Sequence, residues 1–207
     1  MMNHSKLGGL TRIKLGGLLV VALFAWSGMA AASAMAAKEF ESSKTGTATD
    51  EGTSTQVFHD EPKAAAVECK KLTSTEVITK TKTKTQAASV KYSECTAFGF
   101  PATISEAKYT FSSSGSVAVT NTITVEVPAA GCKVLVSPGG NNKLKTVTYT
   151  NKEAGTGHGK LEVSTKVSKI SSEVKGGGGL CGKEGKLKTG TYTGSALVTL
   201  EGGEVKI

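Results

Sequence analysis

This chain predicts an all-β protein, an antiparallel β-sandwich or related barrel of ten or more short strands stapled by disulfides. Three observations carry the prediction. Apolar, β-branched residues alternate with polar ones along most of the chain after residue 55, which is the period of half-buried strands. Glycine- and asparagine-rich segments interrupt the alternation at short intervals, as tight turns require. Beyond the first 36 residues, no stretch of a dozen residues repeats with the 3.6-residue period of a helix.

The first 36 residues have a different character. Lys6, Arg12 and Lys14 precede an uncharged run from Leu15 to Ala37, and two overlapping A-x-A steps, Ala32-Ser33-Ala34 and Ala34-Met35-Ala36, close it. Positive residues, an apolar stretch and a small-residue end make a secretory signal peptide over 1–36. An uncleaved anchor is the alternative, because the run is long enough to span a bilayer. Its Ala-, Ser- and Gly-rich latter third favours cleavage, and the expected location is extracellular or at the cell envelope, with no membrane association once the leader is gone. The formal charge of +8, less the three leader charges, leaves about +5. The leader also holds the only Arg and the only Trp, so what remains is basic through lysine alone. Specific nucleic-acid recognition draws on Arg forks and stacked aromatics, and no specific nucleic-acid partner is expected.

Residues 37–55, "AKEFESSKTGTATDEGTST", are small, polar and charged without an apolar period, and read as a flexible N-terminal segment. A β-sandwich domain is expected over 56–207. Within it, Val90 and Tyr92 share one parity, as do Tyr109 and Phe111. The cleanest run is "VAVTNTITVEV", where Val117, Val119, Ile123, Val125 and Val127 alternate with Thr, Ala and Glu. Asn121 falls on the apolar parity, which predicts a bulge or tight turn there. Alternation resumes at Cys132, Val134 and Val136, at Leu161, Val163 and Val167, and at Ala196, Val198 and Leu200. "SPGGNN" at 137–142 has the length of an ordinary loop, with a sub-domain boundary there as the alternative to one continuous unit.

"VITKTKTKTQ" at 77–86 places lysine at every second position. On a strand, Ile78, Lys80, Lys82 and Lys84 share one face, with like charges about 7 Å apart. Such a row keeps an exposed edge from pairing with another chain. Its functional alternative makes Lys80, Lys82 and Lys84 candidate anion contacts for an anionic wall polymer or polysaccharide.

Four cysteines, Cys69, Cys95, Cys132 and Cys181, follow the leader, with no C-x-x-C pair among them. An even count in an exported chain implies disulfides. Four cysteines allow three pairings, of which the local, non-crossing Cys69–Cys95 with Cys132–Cys181 is favoured. Catalytic signals are thin. "GTGHGK" at 155–160 lacks the first glycine and the hydroxyl of a phosphate-binding loop and reads as a turn. His59 and His158 are the only histidines beyond the leader, too few for zinc. No G-x-S-x-G frames a nucleophile. Glutamates are scattered, so paired-carboxylate hydrolysis stays open, because proximity in space is invisible in sequence. No metal or cofactor is expected, and the chain reads as non-enzymatic, with a cryptic hydrolase as a further alternative.

"YSECTAFGF", "YTN" and "GTYTG" then carry a resemblance, at Tyr92 with Cys95 to Gly99, Tyr149 to Asn151, and Gly190 to Gly194, together with Glu39-Phe40 after the leader. The chain resembles the uncharacterised secreted β-proteins found in many paralogous copies in soil actinobacteria. In that group the last motif is read as a closing turn. The resemblance implies export and an all-β fold and brings no activity, ligand or catalytic residue. Relatives often carry a cysteine where Ala107 stands here, so this chain departs from that disulfide scheme. Function is therefore expected to be an exported, non-enzymatic role at an extracellular or envelope surface, with the lysine-mediated binder as the alternative.

Overall fold

The computed structural model describes residues 38–60, 66–139, 143–152, 159–176 and 181–207. The leader expected over 1–36, His158 and most of the "GTGHGK" segment lie outside the described residues.

Alternation turns into strand wherever β-branched residues recur, and neighbouring strands in sequence become neighbours in space. The strands are β1 (Phe40–Ser42), β2 (Gly46–Gly52), β3 (Gln56–His59), β4 (Val67–Ile78), β5 (Lys82–Thr83), β6 (Thr85–Ala97), β7 (Phe100–Ile104) and β8 (Ala107–Ser112). They continue with β9 (Ser116–Val119), β10 (Ile123–Val127), β11 (Cys132–Val136), β12 (Lys143–Lys145), β13 (Val147–Lys152), β14 (Lys160–Lys175), β15 (Gly185–Leu200) and β16 (Val205–Lys206). Several are segments of one longer stave. β2 continues into β3, β7 into β8, β9 into β10, and β11 through β12 into β13. With β4, β6, β14 and β15 unbroken, the described residues form eight staves.

Each stave pairs antiparallel with the next. β2 and β3 lie on β4, β4 on β6, and β6 on both β7 and β8. β7 then pairs with β10, β10 with β11, β11 and β13 with β14, and β14 with β15. Finally β15 returns to β2 and β3, with Val198 opposite Asp50 and Tyr192 opposite Phe58. The ring is closed. The antiparallel sheet is thus an up-and-down barrel, which removes the free edges an open sheet would expose.

Closure gives every stave an inside and an outside. In β4, Val67, Cys69, Leu72, Ser74, Glu76 and Ile78 are buried while Glu68, Lys70, Lys71, Thr73 and Thr75 face out. Among the described residues only Val77, at 65% exposure, and Phe100, at 41%, are large apolar side chains on the surface. The outer face is therefore polar, and no described helix is long and apolar enough to cross a membrane.

The strand breaks have side-chain causes. Asn121 sits in the gap between β9 and β10. Its Oδ1 accepts from the Lys108 N–H at 2.7 Å and its Nδ2 donates to the Glu106 carbonyl at 2.9 Å. One amide thus satisfies backbone groups that the ladder leaves unpaired, at a break between strands where its place on the apolar parity predicts a bulge or turn. The "AFGFP" turn is a two-residue hairpin, with Ala97 opposite Phe100. Phe98 and Gly99 both take positive φ, 55° and 80°. Such turns favour Asn-Gly, and Phe98 tolerates the position while packing against the core beside Cys95.

Both disulfides lie towards the barrel end where β4 begins, and the pairing is Cys69–Cys95 and Cys132–Cys181. The first joins directly opposed residues of β4 and β6. The second ties the start of β11 to the segment ahead of β15. Paired thiols suit a non-reducing environment.

Two expectations need correction. The segment expected to be flexible over 37–55 instead supplies, within its described residues, β1 and β2, and β2 is the seam that closes the barrel. The period there is real but written in Gly46, Ala48, Asp50 and Gly52, small or acidic residues that face inward. The lysine ladder is not one strand either. Ile78 lies on the inward parity of β4, so continuing the strand would drive Lys80, Lys82 and Lys84 into the barrel. The chain leaves the wall after Ile78 instead, and only Lys82 and Thr83 return to strand. Part of the 137–142 segment, residues 140–142, lies outside the described residues, and the strands on both sides of it, β11 and β12, pair with the same neighbouring stave.

Candidate ligand-binding cavity

The barrel's mouth, at the end where β4 finishes, carries a small separate sheet in the order β16-β1-β5. Glu41 of β1 stands opposite Lys206 on one side and Lys82 on the other. Its carboxylate reaches Lys82 Nζ at 2.8 Å and Lys206 Nζ at 3.4 Å. Those two ammonium groups, Lys82 first, hold Glu41 below the usual carboxylate range. Lys82 is therefore used within the protein, while Lys80 and Lys84 are exposed on either side of the short strand.

Phe40 points down from this lid. Its ring meets Tyr149 edge-on at 5.1 Å, and the Tyr149 hydroxyl donates to the Ser112 carbonyl at 2.9 Å. Asn151, two residues on, grips the chain end. Its Nδ2 donates to the Ile207 carbonyl at 3.0 Å and its Oδ1 accepts from the Ile207 N–H at 2.9 Å. The "YTN" motif is thus the fastening of the lid, with one residue beneath it and one at its edge.

Beneath the lid lies a cavity of about 150 Å³, walled mainly by inward-facing Val, Ile, Leu and aromatic side chains. A second void of about 30 Å³, between Phe58, Phe98 and the Cys132–Cys181 bridge, has room for no more than a water molecule. The large cavity carries two polar features.

One is a chain of hydroxyl groups across its waist. Tyr109 and Tyr92 hydroxyls lie 3.1 Å apart, Tyr92 donates to Tyr192 at 3.5 Å, and Tyr192 donates to Gln56 Oε1 at 2.5 Å. Gln56 Nε2 ends the chain on the Ser54 and Ser195 carbonyls, at 2.6 and 3.0 Å. Burial pushes all three phenols up, so they remain neutral. "GTYTG" is not a turn but part of β15, with Gly190, Tyr192 and Gly194 all facing in. A Cβ on Gly194 would come within 1.8 Å of Gln56 Oε1, which is why the motif needs glycine beside its tyrosine.

The other feature is an acidic pair. Asp50 of β2 and Glu76 of β4 are both 7% exposed and share a hydrogen bond. Ser74 Oγ donates to Asp50 Oδ2 at 2.5 Å. Burial, then the charge of Asp50, raises Glu76 well above the usual carboxylate range. Burial also raises Asp50, against the opposing effect of its bonds to Ser74 and Glu76. Two like charges cannot both persist at such a site, so the pair shares a proton, and of the two Glu76 is the more strongly raised. Leaving aside the contact between the two carboxyls, Asp50 Oδ1 and, on β1, Ser42 Oγ are buried with no hydrogen-bond partner among the described residues. Both residues line the cavity.

Comparisons with family models, curated proteins and solved structures found no match. The interior speaks through its own chemistry. His59 and Asp60 do not line the large cavity. Ser172 Oγ donates to the Asp60 carboxylate and the Thr189 hydroxyl to the Asp60 carbonyl, which anchors the end of β3. Among the described residues no three His, Cys, Asp or Glu side chains converge as metal ligands. The cysteines act as staples, and Lys80, Lys82 and Lys84 form no continuous strip. Asp50 and Glu76 escaped sequence reading, although Glu76 shares the parity of Leu72 and Ile78 and was open to recognition as a carboxyl on an inward face.

Proposed function

We propose that this is an exported, non-enzymatic binding protein that holds a small apolar molecule inside its barrel, outside the cell or at its envelope. The carrying observation is the closed barrel with a polar exterior and an apolar-walled cavity of about 150 Å³ beneath a lid. Such concave, apolar sites with a few placed polar groups are where small ligands bind. The leader pattern and the disulfides support export, as does the resemblance to secreted β-proteins of soil actinobacteria. A glycosidase reading has less support, because its two carboxyls must stand far enough apart for a sugar or water between them, whereas Asp50 and Glu76 are bonded to each other. The lysine-strip reading has less support too, because Glu41 occupies Lys82.

A cavity of this size admits a benzene ring. Benzene titrated into the full chain is expected to move the methyl resonances of inward-facing Val119, Val163 and Val167, and Val167→Trp is expected to abolish the response. Unmoved methyl signals at saturating benzene would defeat the reading.

A further inference from the structure

The geometry points to a protonated primary amine on a compact apolar body as the ligand of this cavity, its ammonium seated between Asp50 on the wall and Ser42 on the lid. This rests on reading the interior as a ligand cavity and goes on to name the chemical class.

The cavity wall is apolar except at defined places, and those places differ in what they lack. The tyrosine chain at the waist is internally satisfied from Tyr109 to Gln56. The mouth is not. Asp50 Oδ1 and Ser42 Oγ open on the same space, both buried and, the contact between Asp50 and Glu76 aside, neither receiving a donor among the described residues. Both can accept a hydrogen bond, the serine hydroxyl being also able to donate one, and buried polar atoms without partners are costly to leave unmet. An ammonium group brings three N–H donors, enough for Asp50, Ser42 and one further oxygen.

Charge decides between an ammonium and a neutral donor. The acidic pair, buried in an apolar wall, can carry one negative charge but not two. Lys82 and Lys206 on the lid strands are turned to Glu41. Lys80 lines the mouth but is exposed, where water screens it. A bound cation neutralises the pair's charge where screening is weakest, and charge-assisted hydrogen bonds are about twice as strong as neutral ones. Size sets the rest. About 150 Å³ suits a single ring with a short arm, not a fused polycycle or a lipid chain. Seating the head between β1 and β2 also ties the lid to the wall, so the ligand closes the chamber it occupies.

Three probes of nearly equal shape separate the outcomes: benzylammonium, toluene and benzoate, titrated calorimetrically into the full chain at neutral pH and at two salt concentrations. Benzylammonium is expected to bind at least ten-fold more tightly than toluene, with benzoate weakest. Asp50→Asn is expected to remove that ten-fold preference while leaving toluene unchanged, and Glu76→Gln serves as a second variant that keeps the hydrogen bond. Toluene binding as tightly as benzylammonium overturns the amine assignment and leaves the apolar cavity standing. Preference for benzoate overturns it in favour of Lys80. Failure of all three overturns the cavity reading itself. The panel on the unaltered protein decides the matter even if a variant does not fold.

Discussion

Removing the Cys132–Cys181 bridge tests how the barrel is held shut. The perturbation is Cys132→Ala with Cys181→Ala, which avoids leaving one thiol free. The two residues are 49 apart in sequence, and cross-linking a loop of that length restricts the unfolded chain by about 4 kcal/mol on the loop-entropy relation. The same relation gives about 3.5 kcal/mol for Cys69–Cys95, whose separation is 26. The two losses differ in kind as well as size. Cys69 and Cys95 lie on staves already joined by a ladder, whereas Cys181 precedes β15, outside the strand ladders, and the bridge ties it covalently to the start of β11. A domain of this size loses roughly 2–4 °C of melting temperature per kcal/mol, so a fall of about 8–16 °C is expected for the Cys132/Cys181 variant. Guanidinium melts of the variant and the oxidised parent would measure this, and the slope of stability on denaturant should steepen because the freed chain exposes more surface. A loss below about 1 kcal/mol with an unchanged slope would refute the argument that the bridge acts through the unfolded chain.

Glu76→Gln should flatten the dependence of stability on pH. Because burial and Asp50 raise Glu76 in the folded protein, its contribution is complete below the unfolded value near 4.5 and is lost as pH rises through the folded value. Each unit of elevation amounts to about 1.4 kcal/mol. Urea midpoints at pH 4, 6 and 8 are expected to fall for the parent and to hold nearly level for the variant, and parallel curves would contradict this. Asn151→Ala removes two hydrogen bonds to Ile207, worth about 1–3 kcal/mol together. Amides of β1 and β16 should then exchange roughly 10- to 100-fold faster while those of β14 and β15 keep their rates. Uniform acceleration across the chain would show that the lid does not open on its own.

Strand content was legible because Val, Ile and Thr at every second position suit no other structure, and runs such as Val117 to Val127 became wall strands with a break at Asn121. The disulfide pairing followed from proximity in sequence. Two things were hidden. Closure depends on Asp50 meeting Val198, and no local pattern announces a partner so far along the chain. The direction each stave faces was also obscure where the interior is a chamber rather than a packed core. Ala48, Asp50, Gly52 and Gly194 line or border that space, and small or acidic residues look like loop composition when read alone. The lysine ladder misled for a related reason. Its parity matched Ile78, and only the barrel shows that parity to be inward and so closed to lysine.

The seam between β2 and β15 sets the order in which this molecule comes into being. Asp50 is synthesised well before its neighbour Val198, which follows it by 148 residues (198 less 50). Until then β2 has β4 on one flank and nothing on the other, and the half-built wall is an open, curling ribbon. Long-range pairings of this sort are slow to form, and an unclosed edge is where chains stick to one another. The few seconds before the last stave docks are the interval in which this protein is most exposed to error.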